Sequence, residues 1–256
     1  MQVDGGGPVT WGEIRPAWGG ALRHARVRPA SGAVRGTVVL VHGRTEFIEK
    51  YAEVMSLLCK RGFEVVTMDW RGQGLSTRPL PDRHKGHIDD FETYVRDLRL
   101  FVDEVARPAS HGTLSLISHS MGGNIVLHYL RAFPGVFERV FLVAPMVWIQ
   151  MGLSAPAAPP VLFAASKLRR LRTYVPGTGP YSRGDHRFEG NDLTSDPERF
   201  QRIHALIARA PDLALGGPTL GWLREAIKSS ERLFEPGYAE DITTPTTFVV
   251  AGSDSV

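Results

Sequence analysis

Residues 117–125 read ISHSMGGNI, and its two serines, one histidine and paired glycines are the raw material of a covalent acyl-transfer site. A serine hydroxyl is a weak nucleophile on its own. It needs a base within reach, and donors for the negative charge that grows on the attacked carbonyl oxygen. The apolar TLSLI before it predicts a strand, and GGNIVLHYLRAF after it predicts an amphipathic helix. A serine at such a strand-to-helix corner is pushed clear of the backbone by a strained turn. Strand and helix approach so closely there that the residues two before and two after must be small. Centred on Ser120, those positions hold Ser118 and Gly122; centred on Ser118, neither holds a glycine. Ser120 is therefore the expected nucleophile and Ser118 a small packing residue. His119 leaves the turn in another direction, whereas a base must come within about 2.6–3.2 Å of the hydroxyl. His119 is expected to brace the elbow, and the base must lie elsewhere.

The elements that would hold this corner follow from patterning. After a Gly-rich opening, Ala21 to Arg28 predicts a short edge strand, and GTVVLVHG (36–43) a strand buried on both faces. Phe47, Ile48, Tyr51, Val54, Met55 and Leu58 share one helical face, ended by Gly62. FEVVTMDW (63–70) is the next strand. A helix is expected to open at Asp89 in a capping box with Glu92, burying Phe91, Tyr94, Val95, Leu98, Phe101, Val102 and Val105. RVFLVAP (139–145) is a further strand. Strand alternating with helix at this rhythm predicts an α/β fold: a doubly wound, mostly parallel sheet with helices on both faces.

From 146 to 236 the rhythm breaks, Pro and Gly become frequent, and Ser195 with Glu198 suggests a capping box ahead of Phe200, Ile203 and Ile207. A buried strand, Thr246 to Ala251, then resumes. The expected division is a core from 1 to 145, an inserted helical cap over 146–236, and the core again over 237–256. In the cap, Leu162, Ala165, Leu168 and Leu171 are expected on one side of a helix, with Lys167, Arg169, Arg170 and Arg172 toward the other. Such a basic amphipathic helix suits either the core or an anionic membrane surface.

Composition narrows the classes. A net charge of +3, with no basic run interleaved with aromatics, argues against nucleic-acid binding. The one cysteine, Cys59, allows neither an internal disulfide nor a cysteine metal cluster, and its helical setting predicts a small buried hydrophobe. No secretory signal core and no spanning segment is evident, so the expected place is the cytoplasm, with peripheral contact at the inner face of the membrane through the cap.

Five separated segments, VHGRTEFIEKY, DWRGQGLS, GHIDDFETYVRDL, SHSMGG and EGNDLTSDPERF, occur in an order that resembles the α/β-hydrolase family of bacterial lysophospholipases, related to monoacylglycerol lipases. The resemblance runs from about residue 20 to the end. It implies serine-dependent hydrolysis of a single-chain lipid ester with no metal or organic cofactor. It further implies an oxyanion hole from the N–H groups of Arg44 and Met121, and an acid after the last strand, at Asp254. Met121 would stand at a helix N-terminus, where free N–H groups favour an anion. His42 and Gly43 are expected to be architectural, and Asp241 is the weaker candidate acid. In this fold the histidine follows the acid, whereas only Ser255 and Val256 follow Asp254. The expectation is a chain lacking the final strand, helix and catalytic histidine, and therefore slow on esters. His24, His111 and His128 are expected to be structural, His84 and His87 to bond turns, and His186 and His204 to lie in the cap. Two other readings stay open: an amidase or aminopeptidase, which would need acidic cap residues such as Asp185 and Glu189, and a non-catalytic lipid- or partner-binding remnant.

Overall fold

The computed structural model describes residues 1–150, 158–182, 187–191 and 194–252. Seven strands form one sheet: β1 Thr10–Ile14, β2 Leu22–Val27, β3 Gly36–Val41, β4 Phe63–Met68, β5 Thr113–His119, β6 Arg139–Val143 and β7 Thr246–Val249. Their spatial order is β1-β2-β4-β3-β5-β6-β7. From β4 to β7 every pairing is parallel, and β1 and β2 join antiparallel. All of β3 is buried, as its run of β-branched residues demands of a strand flanked by β4 and β5 and covered on both faces.

Helix α1 (Ala52–Lys60) follows β3, and α2 (Glu92–Phe101) runs through a π turn at Val102–Ala106 into α3 (Arg107–Ala109). Helix α4 (Met121–Ala132) leaves β5. Beyond β6 come α5 (Ala158–Lys167), α6 (Pro197–Arg209) and α7 (Leu220–Leu233). One face of the sheet packs Val39, Val41, Val66, Met68 and Leu116 against Tyr94, Leu98, Phe101, Ile125 and Tyr129 of α2 and α4. The other packs Val65, Leu40 and Ala25 against Ile48, Met55 and Cys59. Cys59 is the small buried hydrophobe its pattern predicts. Trp222 and Ala226 of α7 join the first cluster, so this helix closes the core as well as completing the 146–236 stretch.

Several expectations need correction. The strand over 21–28 is not an edge, because β1 pairs along it from Thr10↔Arg26 to Ile14↔Leu22. Asp89 does not cap α2: it faces His87 Nε2 at 3.0 Å, while Asp90 Oδ1 takes the Glu92 N–H at 2.9 Å. Asp196, not Ser195, caps α6, accepting from the Glu198 and Arg199 N–H groups; Pro197 behind it is suited to the first helical position. Phe200 and Ile207 are buried as the spacing predicts. Helix α5 stops at Lys167, burying Leu162 and Ala165 but leaving Leu168 71% exposed. The left-handed φ of +55° at Arg169 ends its helical run. Strand β7 has β6 on one side only among the described residues, and Phe248 and Val249 on it are exposed rather than buried.

His128 on α4 is structural. Its Nδ1 meets the Tyr238 hydroxyl and its Nε2 lies 3.1 Å from Ser229 O. Burial, helped by the nearby Arg232 charge, pushes its imidazole down to about 4. The unfolded chain therefore takes up a proton as pH falls below about 6.5 while the folded chain resists, so stability falls with pH down to about 4. The full effect is about 3 kcal/mol. Urea unfolding at pH 7 and pH 5 should show a clear loss in the native chain and a much smaller pH dependence in His128→Asn.

Candidate active site

Ser120 stands where β5 becomes α4, with φ +49° and ψ −120°. A non-glycine residue there stores about 1–3 kcal/mol of strain, which persists only when its surroundings over-determine it. Those surroundings are tight. Ser120 N–H donates to Val143 O at 3.0 Å, and Ser120 O accepts from Gly123 N–H at 2.8 Å and Met146 N–H at 2.9 Å. A methyl on Gly122 would lie 2.6 Å from His42 O, and one on Gly123 would lie 2.5 Å from the Pro145 Cβ. Ser118 is fully buried, its hydroxyl without a hydrogen-bond partner among the described residues. It fills space beside Gly123, 3.6 Å from where that methyl would sit.

The loop after β3 faces this corner. A methyl on Gly43 would sit 3.0 Å from the Ser120 Cβ. The backbone N–H groups of Arg44 and Met121 have no hydrogen-bond partner among the described residues, whereas those of Gly43, Thr45 and Ile48 are all tied down. Gly43 donates to Glu46 Oε2 at 2.5 Å, Thr45 to Gln73 Oε1 at 2.6 Å and Ile48 to Asp69 Oδ1 at 3.0 Å. Met121 is buried at the first position of α4, with Gln73 Nε2 3.5 Å from its sulfur.

Two buried carboxylates that patterning did not single out hold this arrangement. Glu46 Oε2 also accepts from the Tyr51 hydroxyl at 2.7 Å and faces His119 Nδ1 at 3.0 Å, and Lys50 pairs with Oε1. Burial works to raise the Glu46 carboxyl, but the His119 bond and the Lys50 charge outweigh it and hold it well below the usual range. His119 is thus turned toward Glu46, and no histidine among the described residues hydrogen-bonds the Ser120 hydroxyl.

Asp69 likewise stays ionised against complete burial, through His42 (Nε2 3.4 Å from Oδ1) and Arg23 (2.7 Å to Oδ2). Leu75 N–H adds a bond at 2.9 Å, made possible by Gly74 at φ +51°, where any Cβ would strike the carboxylate. His42 Nδ1 lies 2.8 Å from Gly43 O, and Trp70 Nε1 donates to His42 O at 2.7 Å. The polar residues inside DWRGQGLS were the available signal, because such a stretch next to a buried strand must find internal partners.

Elsewhere, His87 Nδ1 lies 2.7 Å from Thr219 Oγ1, and His84 Nδ1 accepts the Tyr181 N–H at 3.0 Å. Asp241 pairs with Arg131 at 2.9 Å. Asp254, Asp185 and His186 lie outside the described residues, as do Ser255 and Val256. Glu189 is exposed. Among the described residues no cluster of three or more His, Cys, Asp or Glu is placed to hold a metal, and no helix is long and apolar enough to cross a membrane.

A serine at a sharp, positive-φ turn between strand and helix on the carboxyl edge of a doubly wound, mostly parallel sheet defines the class as an α/β-hydrolase fold. Solved structures agree on the fold: a soluble variant of monoglyceride lipase from Saccharomyces cerevisiae superposes with TM-score 0.69 at 20% identity, over 97% of this chain and 77% of that one. A carboxyl esterase from Bacillus coagulans gives 0.69 at 18% identity over 94% and 78%. The chain belongs to the family described as serine aminopeptidase, S33 (Hydrolase_4), whose model matches residues 32–256. It is 36% identical over 220 residues to lysophospholipase L2 of Escherichia coli K12, covering 86% of this chain and 64% of that protein. The chain thus spans somewhat under two thirds of that relative's length. A monoacylglycerol lipase of Mycolicibacterium smegmatis is 35% identical over 145 residues, 56% of this chain and 47% of that one.

The elbow makes a direct prediction. Gly122→Ala should lower stability by about 1–3 kcal/mol in urea unfolding, since the added methyl meets a fixed carbonyl rather than a movable side chain. Gly179→Ala, with open space around it, should stay within about 0.5 kcal/mol.

Proposed function

We propose that the chain carries the active site of a serine hydrolase that cleaves the acyl ester of a single-chain lipid, a lysophospholipid or a monoacylglycerol. The observation that carries this reading is the strained Ser120 facing the unpaired N–H groups of Arg44 and Met121. In this scheme Ser120 Oγ bonds to the acyl carbon while its proton passes to a histidine. The carbonyl oxygen becomes an oxyanion held by the two amides, each such donor supplying about 3 kcal/mol. The bond to the glycerol oxygen then breaks, the histidine protonates that oxygen, and water releases the fatty acid from the acyl-enzyme. Asp254 would orient a histidine placed after it in the order usual for this fold; the residues given after Asp254 are Ser255 and Val256. His119, turned to Glu46, supports the loop rather than taking the proton.

The core–cap division at 146 and 236 belongs to the same reading, with the cap choosing the lipid. Contact with an anionic membrane is supported by exposed Phe163 and Leu168 beside exposed Lys167, Arg169 and Arg170. The family's description favours an aminopeptidase as the second reading. The 36% identity over 220 residues to lysophospholipase L2 weighs toward the ester.

Labelling with a fluorophosphonate probe tests the site: modification should map to Ser120 and vanish in Ser120→Ala. Release of fatty acid from lysophosphatidylcholine or monoolein should exceed cleavage of amino-acid anilides by at least tenfold. A silent serine with lipid binding retained would instead favour the non-catalytic remnant, and faster anilide cleavage the peptidase.

A further inference from the structure

We propose that the side chain of Arg44 is the anion subsite of this active site, taking the phosphodiester of a single-chain phospholipid whose ester carbonyl lies at Ser120. The inference rests on the lipid-ester reading and narrows its substrate class to phosphate-bearing lipids.

The buried Arg71 and the half-buried Arg23 and Arg78 have their charge answered within the chain, although Arg78 Nε itself has no partner among the described residues. Arg23 is held by Glu49 and Asp69, and Arg71 grips both oxygens of Asp97 at 2.8 Å. Arg78 has no carboxylate in ion-pair range but gives its protons to five backbone carbonyls, those of Gly72, Gly74, Arg83, Asp212 and Ala214. Arg44 has neither solution. Its Nη2 donates to Gly216 O at 2.7 Å, its Nε is buried without a partner, and no carboxylate among the described residues lies within ion-pair range. A guanidinium carries five N–H donors, so most of this capacity is unspent. Burial draws its pKa down to about 10, which still leaves it fully charged at neutral pH. A buried cation without a counter-charge is costly, and such costs persist where a ligand supplies the missing partner.

Its position fits that ligand. Arg44 follows Gly43, the residue crowded against the Ser120 Cβ, so main chain and side chain of one residue face two parts of one substrate. The main chain of Arg44 adjoins the Ser120 corner through Gly43, and its side chain reaches the start of α7 and the Gly216 carbonyl. There the guanidinium carbon lies 5.1 Å from the Trp222 ring centroid. Gly86 leaves it space: a methyl there would sit 2.7 Å from Nη2. In a lysophospholipid one glyceryl unit separates the scissile ester from the phosphate, a span a single arginine can match. The planar fork suits a phosphodiester, whose two free oxygens accept parallel N–H bonds. A monoacylglycerol offers only hydroxyls at that place.

Non-hydrolysable ether lipids test binding apart from catalysis. Calorimetry would compare dodecylglycerol, its glycerophosphocholine counterpart, and glycerophosphocholine without the chain, all below their aggregation concentrations. The native chain should bind the phosphate-bearing lipid about tenfold more tightly than dodecylglycerol, about 1.4 kcal/mol. In Arg44→Gln that ratio should fall to about one, and in Arg44→Lys, which keeps the charge but not the fork, to about threefold. A ratio near one in the native chain, or a tenfold ratio surviving in either variant, overturns the subsite. If Arg44→Gln does not fold, Arg44→Lys alone decides. Equal affinity for glycerophosphocholine and its lipid would also overturn it, marking a free-phosphate site. Binding of neither lipid would sink the lipid-ester reading itself, whereas equal binding of both would leave that reading standing and remove only the role of Arg44.

Discussion

The structure turns on one close approach: the first turn of α4 comes into contact with the carbonyl that ends β3. Gly122 against His42 O and Gly123 against Pro145 leave no slack. The left-handed backbone of Ser120 is therefore imposed by packing and is not a local preference, because serine gains nothing from φ +49° by itself. Everything chemical at the sheet edge follows from it. The hydroxyl is presented, the Met121 amide opens the helix free of a backbone partner, and the loop after β3 is brought alongside. Widening that contact by one methyl would cost more than packing energy, since it would loosen the packing that holds Ser120 at its positive φ.

The loop after β3 is held by charge buried in the wrong place for simple stability. Glu46 and Asp69 both remain ionised against burial; Asp69 accepts the N–H groups of Ile48 and Leu75, and Glu46 accepts the N–H of Gly43 beside the side chains of Lys50, Tyr51 and His119. A buried carboxylate is weak evidence for stability, because a well-packed apolar replacement can do as well. It is better explained as a register device: an acceptor with fixed geometry selects which amides of an irregular loop are satisfied and which are left open. Gly43 N–H is satisfied by Glu46, Thr45 N–H by Gln73 and Ile48 N–H by Asp69, which fixes the course of the loop beside Ser120.

Much of this architecture was legible in the residues. The run GTVVLVHG could only be a doubly covered strand, and the small residues around Ser120 gave the elbow. The antiparallel start was harder, because TWGEI is short, half polar and interrupted by Gly12, so it lacks the alternation that marks a strand. Both misplaced caps came from neighbouring residues equally able to cap. Asp89 is claimed by its neighbour His87 and by Arg172, which is distant in the sequence, leaving Asp90 to the helix. At α6, Pro197 already marked Asp196 as the cap, and that signal outranks a serine one residue earlier. The Glu46 and Asp69 networks were only partly legible. DWRGQGLS signalled that Asp69 must find internal partners, but not that these would be Arg23, His42 and Ile48, and nothing in the pattern joined Glu46 to His119, 73 residues away.

The segment leading into α7 is stitched to residues 84–86 in main-chain bonds. Gly216 N–H reaches His84 O at 2.8 Å, Gly86 N–H reaches Gly217 O at 3.1 Å, and Thr219 N–H returns to Gly86 O at 2.8 Å. His87 is buttoned to Thr219 on the same seam. Four bonds along one margin make residues 84–87 and 216–219 a single rigid seam, so any shift of α5 or α6 against the sheet has to take place away from it.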